Sequence, residues 1–292
     1  MFASNSRSRV GLATVAASVL ALAGCATTNS EVTIPSETWS PEQFAEAWAQ
    51  AEVVPLPTAE GFAQDPRSAY DFAREYARDL PGAGDRYGFK FGCGEASLCP
   101  FQEQNPLFGT LWKSMLKEPG AQIDRRDFTR GFVEGELAFR FAQDVDSPLR
   151  NVKAVRQVAT EVAPAVELPD FPFGDRPLSE TPNLDVAALN GIARSLVVGE
   201  FRPTKNLDVD DISMTGSRNG AEVISGDAKD VTAGSHWRAL QLAVELILEQ
   251  GYTIGATDVV ITGTMGDPTS LEQGAYIVDF KPKLGSVRFS VT

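Results

Sequence analysis

The eight residues Phe132-Val133-Glu134-Gly135-Glu136-Leu137-Ala138-Phe139 alternate polar and apolar side chains with period two, a pattern that a strand accommodates and a helix does not. As a strand it puts Glu134 and Glu136 on one face and Val133, Leu137 and Phe139 on the other. Residues two apart on a strand stand roughly 7 Å apart at the backbone, and carboxylates so placed repel unless a positive charge sits between them. A hard cation meets that need. The short run Pro164-Ala165-Val166-Glu167-Leu168 reads as a second, buried strand carrying one acid. Three carboxylates completed by water or substrate suit the octahedral demand of Mg2+ or Mn2+. Solvated acids on exposed strand faces give the same pattern, and spacing alone leaves both possibilities open.

Composition narrows the surroundings of such a site. With 292 residues and 43% hydrophobic content, the chain is long enough to bury a full core as one domain, with or without a small helical addition. Its formal charge of −13 and the lack of any Lys/Arg cluster argue against nucleic acid as a partner, because phosphate binding needs a positive footprint. Small acidic substrates stay compatible, since a bound dication reverses the local field.

The first 24 residues have the pattern of a signal segment: Arg7 and Arg9, then an apolar stretch from Val10 to Leu22 that is too short to span a bilayer permanently. Leu22-Ala23-Gly24-Cys25 resembles the bacterial lipoprotein processing site, which implies lipidation of Cys25, a mature chain starting there, and a membrane partner reached through the lipid. Ala26 after the cysteine, rather than Asp, points by analogy to the periplasmic face of the outer membrane of a Gram-negative cell. Removing residues 1–24 leaves 24 basic against 39 acidic residues, a formal charge of −15. Export also bears on Cys93 and Cys99, which six residues of separation allows to be either a disulfide or two partly buried thiols. C-x5-C with no nearby His is not a zinc pattern.

After a polar tether over residues 25–39, Ser40-Pro41-Glu42-Gln43 predicts an N-cap, a proline at the first helical position and a capping-box Gln, with the helix running to about Ala51. Asp65-Pro66 opens a second helix carrying Tyr70, Phe72, Tyr76 and Leu80, and Pro81-Gly82 ends it. From residue 86 onward strands are expected to dominate. Arg86 to Gly92 alternates Tyr87, Phe89 and Phe91 against Arg86, Gly88 and Lys90, so Lys90 faces away from the aromatic side. Asn219-Gly220 marks a hairpin, Ser235 caps a helix to Gln250, and Val287, Phe289 and Val291 alternate in a closing strand. His236, the chain's one histidine, is expected at the surface or in a cap, not in catalysis.

From about Ser68 to the C-terminus, roughly three quarters of the chain, the sequence resembles the 2-keto-4-pentenoate hydratase and 4-oxalocrotonate decarboxylase family, relatives of the fumarylacetoacetate hydrolases. The resemblance is carried by Ser68-Ala69-Tyr70, Gly88-Phe89-Lys90-Phe91-Gly92, Pro106-Leu107-Phe108-Gly109-Thr110-Leu111, Glu134-Gly135-Glu136-Leu137-Ala138-Phe139, Pro164 to Asp170, Val260-Ile261-Thr262-Gly263-Thr264 and Leu284-Gly285-Ser286-Val287. Their order and separations are more specific than any one of them. It implies an α+β fold, in which an N-terminal helical segment (residues 40–85) stands beside a mixed β-sandwich roll (residues 86–292). It also implies Glu134, Glu136 and Glu167 as metal ligands for Mg2+ or Mn2+, Lys90 as the group that binds or protonates substrate, and Asn190 and Thr264 as further substrate contacts. The substrate would be a small 2-oxo or 2-hydroxydienoic acid chelated to the metal, handled by a hydratase or decarboxylase-like lyase. A homo-oligomer is compatible with the sequence and not required by it.

This chain departs from the family pattern in three places. Gly-Leu-Thr-Ser after the lysine becomes Gly92-Cys93-Gly94-Glu95, which removes hydroxyls and is expected to bring an acid beside the carboxylate site. Ala-Asp-Asn becomes Ala188-Leu189-Asn190, and an arginine usual after the third ligand is replaced around Phe171-Pro172. Two alternatives therefore stand beside the lyase: a lipid-anchored binding or accessory protein on the same scaffold, and an acylpyruvate-type C–C hydrolase, which needs a His-Glu pair and has only His236 to draw on.

Overall fold

The computed structural model describes residues 39–103 and 105–292. Cys25, the signal segment and nearly all of the tether lie outside the described residues. The N-terminal helices form where their caps dictate. In α1 (Pro41–Gln50) the Ser40 hydroxyl accepts from the Gln43 amide at 3.2 Å and the Gln43 side chain accepts from the Ser40 amide at 2.8 Å. In α2 (Pro66–Asp79) Asp65 and Ser68 exchange the same pair of bonds, each pair satisfying two amides that the first turn cannot. Their apolar faces meet edge-on, Phe44 against Phe72 with ring centroids 5.5 Å apart.

The next elements are β1 (Arg86–Gly92), β2 (Leu107–Trp112), β3 (Leu116–Lys117), β4 (Gln122–Ile123) and β5 (Phe132–Phe141). They are followed by α3 (Val152–Val158), β6 (Ala159–Leu168), α4 (Asn183–Ala188), β7 (Ser195–Val198) and β8 (Arg202–Pro203). The chain closes with β9 (Ser213–Arg218), β10 (Ala221–Asp227), α5 (His236–Glu249), β11 (Val259–Ile261), β12 (Thr269–Ser270), β13 (Gly274–Lys281) and β14 (Gly285–Val291). Two curled sheets result. One runs β2-β1-β11-β5-β6-β7-β3, with β12 added to β5 and β8 to β6; the other runs β10-β9-β13-β14-β4. β1 and β11 are parallel while β5 is antiparallel to both β11 and β6, which makes the sheet mixed, and the α+β architecture is the expected one. The tight turn at Asn219 and Gly220, both with positive φ, joins β9 to β10 as the Asn-Gly signal requires.

Elements without a periodic signal are the ones the sequence hid. α3 and α4 have seven and six residues, too few turns for a hydrophobic period to register. β6 extends to ten residues although Pro164 lies in its middle. The proline is tolerated because β6 pairs with β7 only from Ala165 to Leu168 and with β8 only at Glu161 and Val162, so its missing N–H falls between two partners. The described residues form one compact unit, the N-terminal helices included.

The alternation in β5 does what its pattern demands. Val133, Leu137 and Phe139 are fully buried. Gly135, on the same face, lies so close to the second sheet that a Cβ there would come within 2.6 Å of Met214 Cε. The acidic face turns the opposite way. β1 is held close to β11 at Gly88, where a Cβ would fall 1.8 Å from the Val259 carbonyl oxygen. That close approach brings Lys90 into the acidic region.

Candidate metal and substrate site

Strand register assembles the acids. Glu134 on β5 stands directly opposite Glu167 on β6, with Glu136 two residues further along. One carboxylate oxygen from each of the three lies within 4.8 Å of the others. Glu136 and Glu167 are buried and Glu134 is half-buried. Lys90 Nζ reaches to 2.8 Å from Glu167 Oε1, and the Gly263 amide donates to Glu136 Oε2 at 2.8 Å. That amide is a functional group the sequence reading missed. Gly263 holds φ of 90°, a backbone geometry that glycine reaches freely, and the Thr262-Gly263-Thr264 run is its one signal in the sequence.

Two buried acids and a half-buried one against one ammonium leave an excess of negative charge. Burial raises the Glu134 carboxyl to about 7, with Lys90 pulling it down and Glu167 pushing it up. Burial, and then the neighbouring Glu167 and Glu134, lift Glu136 well above the ordinary carboxylate range. For Lys90, burial pulls downward, but the three carboxylates outweigh it and the net shift is upward. Glu136 Oε1 and Glu167 Oε2 are buried with no hydrogen-bond partner, although buried carboxylate oxygens ordinarily have one. An all-oxygen set of this charge, with unspent acceptors aimed at one point, fits a hard divalent cation.

Glu134 and Lys90 line a cavity of about 530 Å³, with Glu136 and Glu167 buried beside them. Thr264 lines it with its Oγ1 buried and unpartnered, which leaves that hydroxyl available to a ligand. Asn190 requires correction as a substrate contact. Its Oδ1 accepts from the Thr110 amide at 2.6 Å and its Nδ2 donates to the Thr110 carbonyl at 2.8 Å, so its amide clamps β2 and does not line the cavity. The clamp matters indirectly. A Cβ on Gly109 would meet Lys90 Cγ at 3.2 Å, and one on Gly191 would meet Lys90 Cδ at 3.3 Å, so bare backbone on either side holds the lysine stem.

The comparison with known families is decided by residues 91–292, which match the family described as Fumarylacetoacetate (FAA) hydrolase C-terminal. The chain belongs to that family. One relative is a 2-keto-4-pentenoate hydratase of Burkholderia vietnamiensis, 24% identical over 189 residues that cover 64% of this chain and 70% of the relative. Among solved structures, the 4-oxalocrotonate decarboxylase of Pseudomonas putida G7, complexed with magnesium and adipate, superposes with a TM-score of 0.79 at 20% identity, covering 86% of this chain and 95% of the other. The fumarylpyruvate hydrolase of Pseudomonas aeruginosa, complexed with Mn2+ and pyruvate, gives 0.52 at 13% identity over 71% and 90%. At these identities the structural likeness establishes the fold. Enzymes of several reaction types share it.

Other departures from expectation concern charge. Glu95 does not crowd the carboxylate site: its Oε2 accepts from the Ala233 amide at 2.9 Å, bracing the turn before α5, and it does not line the cavity. Asp230 and Asp267 line it instead. Cys93 and Cys99, left open by the sequence, are joined as a disulfide and both line the cavity wall. His236 is not at the surface; it is fully buried, neither ring nitrogen has a partner, and it does not line the cavity.

Proposed function

We propose that this protein is a divalent-metal-dependent lyase, of hydratase or decarboxylase type, acting on a small 2-oxo or 2-hydroxydienoic acid. The observation that carries the proposal is the convergence of Glu134, Glu136 and Glu167 within 4.8 Å, with acceptor oxygens left unpaired, beside Lys90, which with Glu134 lines a cavity. Glu134, Glu136 and Glu167 would hold Mg2+ or Mn2+, which when bound supplies Lewis-acid charge next to the substrate's carboxylate and C2 oxygens. Lys90, held in place by the backbone of Gly109 and Gly191, binds the substrate carboxylate or delivers a proton to the reacting chain. The Thr264 hydroxyl donates to the same carboxylate. The Gly263 amide keeps Glu136 turned inward.

The test is metal analysis followed by an ultraviolet assay with 2-hydroxypenta-2,4-dienoate and with 2-oxo acids. Turnover that requires Mg2+ or Mn2+ and is lost in Glu167→Gln supports the lyase. Tight metal binding without turnover on any dienoate or oxo acid would favour a binding protein on the same scaffold, and failure to bind metal would defeat the proposal. For the C–C hydrolase alternative, the enclosed His236 gives no general base at the cavity.

We also propose export and lipid anchoring at Cys25. Support comes from the processing-site pattern in the sequence and from the Cys93–Cys99 disulfide, since disulfides persist in oxidising compartments. Incorporation of labelled fatty acid into the native chain but not into Cys25→Ser is the expected result, and equal labelling would overturn the proposal.

A further inference from the structure

Resting on the lyase proposal, we infer that the site is built for a monocarboxylic 2-oxo acid with a long apolar tail and discriminates against dicarboxylates. Lys90 is the one basic side chain among the described residues lining the cavity, and it already faces Glu167 at 2.8 Å. It can serve one carboxylate at the metal end. Nothing cationic waits for a second: the charged residues further out are Asp230 and Asp267, which repel one. Arg130 is committed elsewhere, stacked over the rings of Phe132 and Phe171 at 5.4 and 5.3 Å and donating to the Arg176 carbonyl, and it does not line the cavity.

One stretch of the remaining wall is apolar, beside the hydroxyls of Ser97, Ser225 and Thr232. Phe101, Leu107, Leu178, Val186 and Ile192 line it, and Leu98 stands at its edge with 42% exposure, one of two large apolar side chains so exposed among the described residues. The Cys93–Cys99 disulfide ties the segment that carries Leu98 to the strand that carries Lys90, so the apolar wall and the carboxylate end are fixed relative to each other. A volume of about 530 Å³ falls within the roughly 300–1,000 Å³ of pockets that take drug-sized ligands. A five-carbon acid fills little of it. An apolar stretch of this kind rewards added methylenes, and a second carboxylate placed against it loses hydration without meeting a cation.

The test measures calorimetric binding to the magnesium-loaded full chain of 2-oxobutanoate, 2-oxohexanoate, 2-oxooctanoate and the diacid 2-oxoadipate. Affinity is expected to rise roughly fourfold per added methylene along the monoacid series, and 2-oxoadipate is expected to bind at least about tenfold more weakly than 2-oxohexanoate. Leu98→Arg, which puts a cation at the mouth, is expected to narrow that gap. Equal or tighter binding of 2-oxoadipate, or a flat monoacid series, in protein that holds magnesium would overturn the inference and leave the metal-dependent lyase standing. Protein that binds no magnesium, or that binds magnesium but none of these acids, would overturn both.

Discussion

His236 shows how far a residue's environment departs from its sequence context. At the first position of α5 it has the look of a capping residue, yet it is fully enclosed, and burial lowers its pKa to about 3, with Asp227 acting in the opposite direction. Between the unfolded value of about 6.5 and that folded value, the unfolded chain takes up a proton that the folded chain refuses, so stability falls as pH falls through the window. His236→Leu is expected to lose this acid limb, about 1.4 kcal/mol per pH unit at its steepest, measured as the shift in urea midpoint between pH 7 and pH 4. An unchanged limb would assign the acid sensitivity to other groups. Glu136 presents the converse case. Its burial beside two other carboxylates is unfavourable without a cation, so Glu136→Gln is expected to raise the metal-free melting temperature while weakening Mg2+ binding by about 100-fold or more. A variant that melts earlier without metal would show the carboxylate to be structurally required. Neither outcome was readable from the residue alone, because desolvation depends on what packs around it.

At the scale of elements, local pattern and long-range pairing divide the work. The alternation of β5, the capping box of α1, the start of α2 at Asp65-Pro66 and the Asn219-Gly220 hairpin were all legible, since each rests on neighbours within a few residues. The register of β5 against β6, which sets Glu134 opposite Glu167, has no local signature. The same holds for the approach of β1 to β11 that delivers Lys90. Gly88→Ala puts a Cβ against the Val259 carbonyl and is expected to cost about 3 kcal/mol. It should also lower 2-oxo acid affinity more than Mg2+ affinity, because the displaced strand carries Lys90 and not the acids. Equal loss of both by calorimetry would mean that β1 also fixes the acidic strands. Asn190 fits this scale as well: read as a substrate contact, it is the clamp on β2 beside the lysine stem, a role fixed by a strand 80 residues away in sequence.

For the whole molecule, charge sets a consequence that no single element carries. A chain of net charge −13 offering a site to anions repels its own ligand at long range, so the association rate of a 2-oxo acid with the magnesium-loaded protein is expected to rise with ionic strength between about 0.01 and 0.15 M. Stopped-flow measurement that finds the rate falling with salt would show that the local field of the loaded site dominates. The same scale separates what the sequence decided from what it left open. Strand periodicity, helix ends and the hairpin follow from residue types and spacings, because pleat and capping are properties of a few consecutive peptide units, and the family resemblance singled out the three acids and the lysine. That the acids share one point, that Lys90 meets Glu167, that Glu95 turns away and His236 is sealed in, and that one wall of the cavity is apolar were decided only by the tertiary structure. Those facts depend on register and sheet packing, where side chains far apart in the chain exchange water for one another.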